Sequence, residues 1–239
     1  MVFSRFSSLY VLVSKHIFRL FQIGLITTML FIMLWGVSTL FEMLFFGFTR
    51  HIKKKAYKFA MLLFIFSEVM FFRGFFWRFF ESSLSPNLDI GILWPRFSIF
   101  SLNPFLIPFL NTLILLTSGV FVTISHYLIL FNKIVARYYL FFTVVLGLYF
   151  SLIQLTEYKN LHFRICDSVF GCNFFLLTGF HGAHVIIGRL LLLFSLTRMA
   201  NLQLNKLNFL AFELRAWYWH FVDVVWLFLF VFVYWWSYV

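Results

Sequence analysis

The stretch Ala216–Trp236, AWYWHFVDVVWLFLFVFVYWW, constrains this chain more than any other. A helix rises 1.5 Å per residue, so a run of this length crosses a hydrocarbon core of about 30 Å. Only His220 and Asp223 would resist that environment. They lie three apart on one helical face, where each can satisfy the other. Trp217, Tyr218 and Trp219 crowd one end and Tyr234, Trp235 and Trp236 the other, in the manner of the aromatic belts of a spanning helix.

The same grammar fills the chain. Of its 239 residues 63% are hydrophobic and only 11% charged, more apolar surface than a soluble domain can bury. The fold class is therefore all-α, a polytopic membrane helical bundle. The 39 phenylalanines are spelled by T-rich codons and are read as nucleotide bias rather than as functional aromatics. The net charge of +11 would suit nucleic acid, but the Lys and Arg residues cluster between apolar runs, where cations set membrane topology, so no nucleic-acid partner is expected. Cys166 and Cys172 make no metal-site spacing. The N-terminus lacks the small-residue cleavage site of a signal peptide. No nucleophile triad, phosphate loop or CxxC motif points to soluble-enzyme chemistry.

Residues 1–19 hold too short an apolar stretch to span and are read as a surface-lying segment. Residues 20–48 are the first span, interrupted by Gln22 and Glu42. Five more spans follow within 49–239, at about 56–80, 104–131, 136–157, 168–199 and 216–236, six in all. Pro104 and Pro108 fit the first turns of the third, where missing amide donors cost little. Basic connections at 50–58, 132–137 and 198–215 alternate with near-neutral ones at 81–103 and 158–167. The positive-inside rule puts the basic loops on the matrix or cytoplasmic side and the C-terminus outside.

Several polar groups lie at membrane depth. Glu68 is 13 residues past Lys55, about 20 Å along the helix, and must be neutralised by a proton or a partner. It is either a proton-linked or substrate-linked site or a hydrogen-bonded acid facing another helix, with Ser67 and Ser118 as candidate partners. His181 and His184 share one helical face among small residues. They either hydrogen-bond between helices or bind metal or haem, which would need His126 or His220 to converge on them. A haem-bearing membrane anchor or quinol-site subunit is the competing reading. Two histidines three apart on one helix cannot, however, supply both axial ligands of one haem. Glu157 and Asp167 sit near a span end and its loop and are read as solvated or capping carboxylates. Arg78 and Glu81, three apart, can pair.

Taken together, six ordered blocks resemble subunit III of cytochrome c oxidase, the haem–copper terminal oxidase. FELRAWYWHFVDVVWLFLFVFVYWW at 212–236 is close to that family's C-terminal signature, and TGFHGAHVIIG at 178–188 to its sixth helix. MLLFIFSEVMFFRGFFW at 61–77 is similar to its third helix and SSLSPNLDIGILWP at 82–95 to the following loop. LNPFLIPFLNTLILLTSGV at 102–120 is similar to the fourth helix and QLTEY at 154–158 to the end of the fifth. The likeness runs from about Lys54 to the C-terminus.

The resemblance implies a subunit with no haem or copper of its own. Haem a and copper would lie in partner subunits, with subunit I the main contact and subunit II and supernumerary subunits beside it. It implies a lipid-filled cleft between the first two of seven helices and the other five, holding cardiolipin, phosphatidylglycerol or phosphatidylethanolamine. It implies support of proton uptake and of sustained turnover. The Phe-heavy composition and the lack of a presequence favour a mitochondrial inner membrane, a bacterial plasma membrane being the less expected alternative. Glu68 matches the family's carbodiimide-reactive buried acid. His126, Glu157, His181, His184, His220 and Asp223 then read as structural polar groups, with no metal site expected. The chain also departs from the family. It is about one helix short, and His126–Tyr127 stands where the family has tandem histidines. Arg73, Arg78, Arg189 and Arg215 stand at usually neutral positions. With Lys58 and Trp77 they are candidate contacts for lipid headgroups or a partner polypeptide.

Overall fold

The structure, a computed structural model, describes residues 19–24, 26–28, 30, 31, 34, 51–86, 94, 95, 99, 101–131, 133–201 and 209–238. The chain divides into two compact units, Met1–Ala56 and Tyr57–Val239. In the first, the described residues between 19 and 34 are helical and expose Leu20, Phe21, Ile23, Ile26, Leu30, Phe31 and Leu34. The expected surface segment 1–19 lies outside the described residues except for its last, helical residue, and so does the second half of the expected span 20–48.

Every regular element among the described residues is helical. We label them α1 (His51–Leu84), α2 (Ile107–Leu130), α3 (Ala136–Lys159), α4 (Val169–Ala200) and α5 (Leu210–Leu229), the last continuing as a π-helical turn, Phe230–Trp235. All five are long and apolar enough to cross a membrane. Four match their expected positions to within a few residues. The fifth is corrected. The expected loop 198–215 ends early, because α5 already begins at Leu210, and Glu213 and Arg215 lie on its first turns.

Local chemistry fixes the ends. Pro108 opens α2. Ser168 caps α4, its hydroxyl accepting the Gly171 amide at 3.0 Å. Asp167 accepts the Arg164 amide at 2.7 Å, which closes the preceding turn.

In the second unit, α2, α3, α4 and α5 pack as a closed ring of neighbours, α2 on α3, α3 on α4, α4 on α5 and α5 back on α2. Apolar side chains face outward and the inner stripes carry small and polar residues. On α2 these are Asn111, Thr112, Ser118, Gly119 and Ser125. In hydrocarbon, apolar contact gives helices no reason to prefer each other over lipid, so close backbone approach and interhelical hydrogen bonds hold the bundle.

Trp219 is the joint. It is fully buried, and its indole N–H donates to Ser118 Oγ on α2 at 3.0 Å. Its ring fills the space left by two glycines. A Cβ at Gly147 on α3 would lie 2.8 Å from its Cη2, and one at Gly188 on α4 would lie 3.0 Å from its Cε3. One side chain thus ties α5 to three helices. Trp226, two turns on, repeats the device: its N–H donates to Thr112 Oγ1 at 3.0 Å and its ring meets Phe150 edge-on at 4.8 Å.

α1 associates differently. Its backbone stays away from α4 and α5, and long side chains make the contact, including Phe64 on Tyr218, Phe71 on Phe180 and Phe80 on Phe232.

Gly147→Ala should therefore overpack the Trp219 slot and destabilise the subunit by about 1–3 kcal/mol. Gly179→Ala, at a position with no atom within 4 Å of an added Cβ, should not. The check is the melting temperature of each variant in the purified membrane complex. Equal melting of the two would contradict the slot.

Candidate functional site

Glu68 lies 14 residues from Lys54 and 16 from Leu84, the ends of its span, and so near the middle of that span. Its expected partners are corrected. Ser67 Oγ donates to the Phe64 carbonyl at 2.7 Å, and Ser118 donates to the Leu115 carbonyl while accepting from Trp219. The partner is His184 of α4, whose Nε2 lies 2.8 Å from Glu68 Oε2. His184 Nδ1 lies 2.7 Å from the Phe180 carbonyl of its own helix.

With the ring oriented as it stands, the two contacts are satisfied together by one proton between the pair. The Phe180 carbonyl can only accept, so Nδ1 carries a hydrogen. The Nε2···Oε2 contact then needs one proton. Either a carboxylic acid donates to a neutral imidazole or an imidazolium donates to a carboxylate, and the pair is net neutral both ways. That is the form in which two ionisable groups are tolerated at this depth. Rings of Phe72 at 5.1 Å, Phe221 at 6.3 Å and Tyr218 at 6.4 Å surround the imidazole. The arrangement can hold one proton away from water and pass it between two atoms.

His181, one turn earlier on α4, points elsewhere. It is buried between Trp226 at 5.3 Å and Phe150 at 5.8 Å, with both ring nitrogens unpartnered. His126 packs against Phe209 and Phe212. His220 Nδ1 stands 3.7 Å from Asp223 Oδ2, longer than a hydrogen bond, so the mutual satisfaction expected of this pair is weak. Asp223 also abuts Gly119. The four histidines therefore occupy four separate environments, and among the described residues no three His, Cys, Asp or Glu side chains are placed to share a metal ion.

Glu157 requires a correction. Although near the end of α3, it is neither solvated nor capping; it is 1% exposed and accepts from the Tyr234 hydroxyl at 2.8 Å. Gln154 donates to the same hydroxyl at 3.2 Å and accepts from Asn111 at 3.4 Å. Beside this chain, Tyr158 donates to Thr178 Oγ1 at 2.6 Å. The π-helical turn carries Tyr234 into the bundle toward α3. Sequence reasoning missed Asn111, Gln154, Thr178 and Tyr234. Their one legible signal was polar residues recurring inside otherwise apolar runs.

The expected cationic contacts divide. Lys58 pairs with Glu213 at 2.7 Å and lies over the Trp217 ring, joining α1 to the start of α5. Arg215 donates to Ser195 at 2.7 Å and covers Phe194. Arg78 pairs with Glu81 at 3.0 Å, as the spacing indicated. Trp77 is exposed. Arg189 has a buried, unpartnered Nη1, and Arg198, unmarked in the sequence reading, has a buried, unpartnered Nε. Among the described residues, the one hydrogen-bonding partner of Arg73 is the Met70 sulfur, at 3.9 Å. Cys166 and Cys172 are free thiols.

These features define a multi-pass, all-helical membrane subunit with a protonatable pair in mid-span. A family model described as cytochrome c oxidase subunit III matches residues 1–238, which extends the likeness to the residues before Lys54. Proteins named cytochrome c oxidase subunit 3 are close relatives. That of Paracentrotus lividus is 50% identical over 215 residues, 90% of this chain and 82% of the relative. That of Drosophila melanogaster is 48% identical over 219 residues, 91% and 84% of the two chains. That of Rhipicephalus sanguineus is 52% identical over 191 residues, 80% and 74%. The chain belongs to the cytochrome c oxidase subunit III family, and is thereby a polypeptide of a cytochrome c oxidase complex.

Tyr234→Phe should strand the buried Glu157 carboxyl and the Gln154 amide and cost about 1–3 kcal/mol. Thermal release of this subunit from the complex measures it. A variant as heat-resistant as the parent would contradict the network.

Proposed function

We propose that this chain is a non-redox core subunit of the oxidase that packs on subunit I, with subunit II and supernumerary subunits beside it. It holds phospholipid in a cleft and supports proton uptake and sustained turnover by the catalytic subunit. Haem a and copper belong to those partners. The location is the mitochondrial inner membrane, with the basic loops on the matrix side and the C-terminus in the intermembrane space. Lys58, Arg73, Trp77, Arg78, Arg189 and Arg215 are the contacts offered to lipid headgroups or neighbouring polypeptides.

The observation that carries the proton-linked reading is the 2.8 Å contact between Glu68 Oε2 and His184 Nε2 at mid-span, which one shared proton would satisfy. A protonated carboxyl among aromatic rings is the form that a hydrophobic carbodiimide attacks. Such a reagent should label Glu68 in the intact complex, and Glu68→Gln should abolish the label and shorten several-fold the number of turnovers before inactivation. A Glu68→Gln complex that works as long as the parent would remove Glu68 from the function. Separating this subunit from the purified complex tests the rest. Haem a should stay with the other subunits, and haem travelling with this chain would make the histidines a redox site.

A further inference from the structure

α1 is the least enclosed of the five spans. One of its faces, with Lys58, Met61, Ile65, Glu68, Phe72 and Phe79, is buried or half-buried. The opposite stripe, Phe59, Leu63, Phe66, Met70, Arg73 and Trp77, recurs at steps of three and four and is exposed along its whole length. Outward-facing aromatics and aliphatics suit lipid. Arg73 does not.

Arg73 is 11 residues from Leu84, about 16 Å along the axis, and 19 from Lys54, about 28 Å. The Arg78–Glu81 pair, with Ser82, Ser83 and Ser85 behind it, marks the polar edge nearer to Arg73. The Arg73 side chain runs away from that edge. Its Nη1 contacts Met70, one turn back toward the middle of the span, the direction in which Cα–Cβ bonds of a helix tilt. Lipid phosphates would lie at or beyond that edge, so the side chain as placed turns away from them. A thioether is a weak acceptor, and arginine keeps its charge in proteins.

The two described carboxylates of α1 itself are committed elsewhere, Glu68 to His184 and Glu81 to Arg78. Among the described residues none lies within ion-pair distance of Arg73. A guanidinium in hydrocarbon needs an anion at its own depth, and its fork of donors fits a carboxylate.

We propose that the outer stripe of α1 seats a membrane-spanning helix of another polypeptide of the complex, and that this helix carries an Asp or Glu in its apolar run that pairs with Arg73. The inference rests on the chain's place in a multi-subunit membrane complex and does not need Glu68 to be proton-linked.

Arg73→Gln, introduced into the whole complex, tests it by subunit stoichiometry after mild detergent extraction. One spanning subunit with an acid in its apolar segment should be retained about tenfold less, the scale of one interhelical polar contact. Full retention of every polypeptide would overturn the proposal, and so would loss of phospholipid alone, which would give the stripe to lipid. Should that variant fail to assemble, Phe66→Cys with a thiol-directed photocrosslinker keeps Arg73 intact, with the unsubstituted protein as baseline for Cys166 and Cys172. The adduct should contain the same acid-bearing subunit. Adducts only with lipid, with a second copy of this chain, or with this chain's own first apolar run, which contains Glu42, would overturn the proposal.

Discussion

A polar group in hydrocarbon has no water to fall back on, and the architecture of this chain follows from where each such group finds its partner. The indoles of Trp219 and Trp226 would each present an unsatisfied N–H to lipid. They turn inward and meet Ser118 and Thr112. Those hydroxyls also donate to their own helix, to the Leu115 and Pro108 carbonyls, so each serves as donor and acceptor at once. Close approach is then needed for the bonds to form, and Gly147 and Gly188 provide it by leaving room for the Trp219 ring. Hydrogen bonding and packing are here one interaction seen from two sides.

The same constraint explains why α1 can stand off from the ring of four and yet keep its register. Aromatic contacts along it are adaptable, but two polar contacts are not. Lys58–Glu213 fixes one end against α5, and Glu68–His184 fixes the middle against α4. Breaking the mid-span pair leaves an ionisable group in an apolar setting, whereas Lys58, at the end of the span, is partly exposed. A helix tied by a few expensive contacts and many cheap ones can shift locally without detaching, a property that suits a subunit surrounded by lipid and other polypeptides.

The spans were legible in the sequence because length and apolarity define them with little help from tertiary structure; the belt reading is corrected for Tyr218, Trp219 and Tyr234, which are buried inside the bundle. The start of α5 was not. Glu213 and Arg215 looked like loop charges, and only their partners on α1 and α4, Lys58 and Ser195, make them helical residues with a place to go. Glu68 was legible as a mid-span acid from its distance along the helix, but not its partner, since nothing local links it to a histidine 116 residues away. The shared face of His181 and His184 was read as interhelical hydrogen bonding, which His184 makes to Glu68 and His181 does not. α4 is gripped on two sides, so the same stripe delivers one ring to α1 and the other to the contact with Trp226. Glu157 was misplaced because nearness to a span end was taken as nearness to water, whereas the π-helical turn at Phe230–Trp235 brings Tyr234 over it.

The central claim is that Glu68 and His184 act as one unit sharing one proton. A double-mutant cycle on the intact complex tests it most directly, with the number of turnovers before inactivation measured for Glu68→Gln, His184→Gln and the double variant. If the two form a unit, the double variant should be no worse than the more damaged single variant, since either change already removes the shared proton. Losses that multiply across the two substitutions would show that they act independently and would contradict the account.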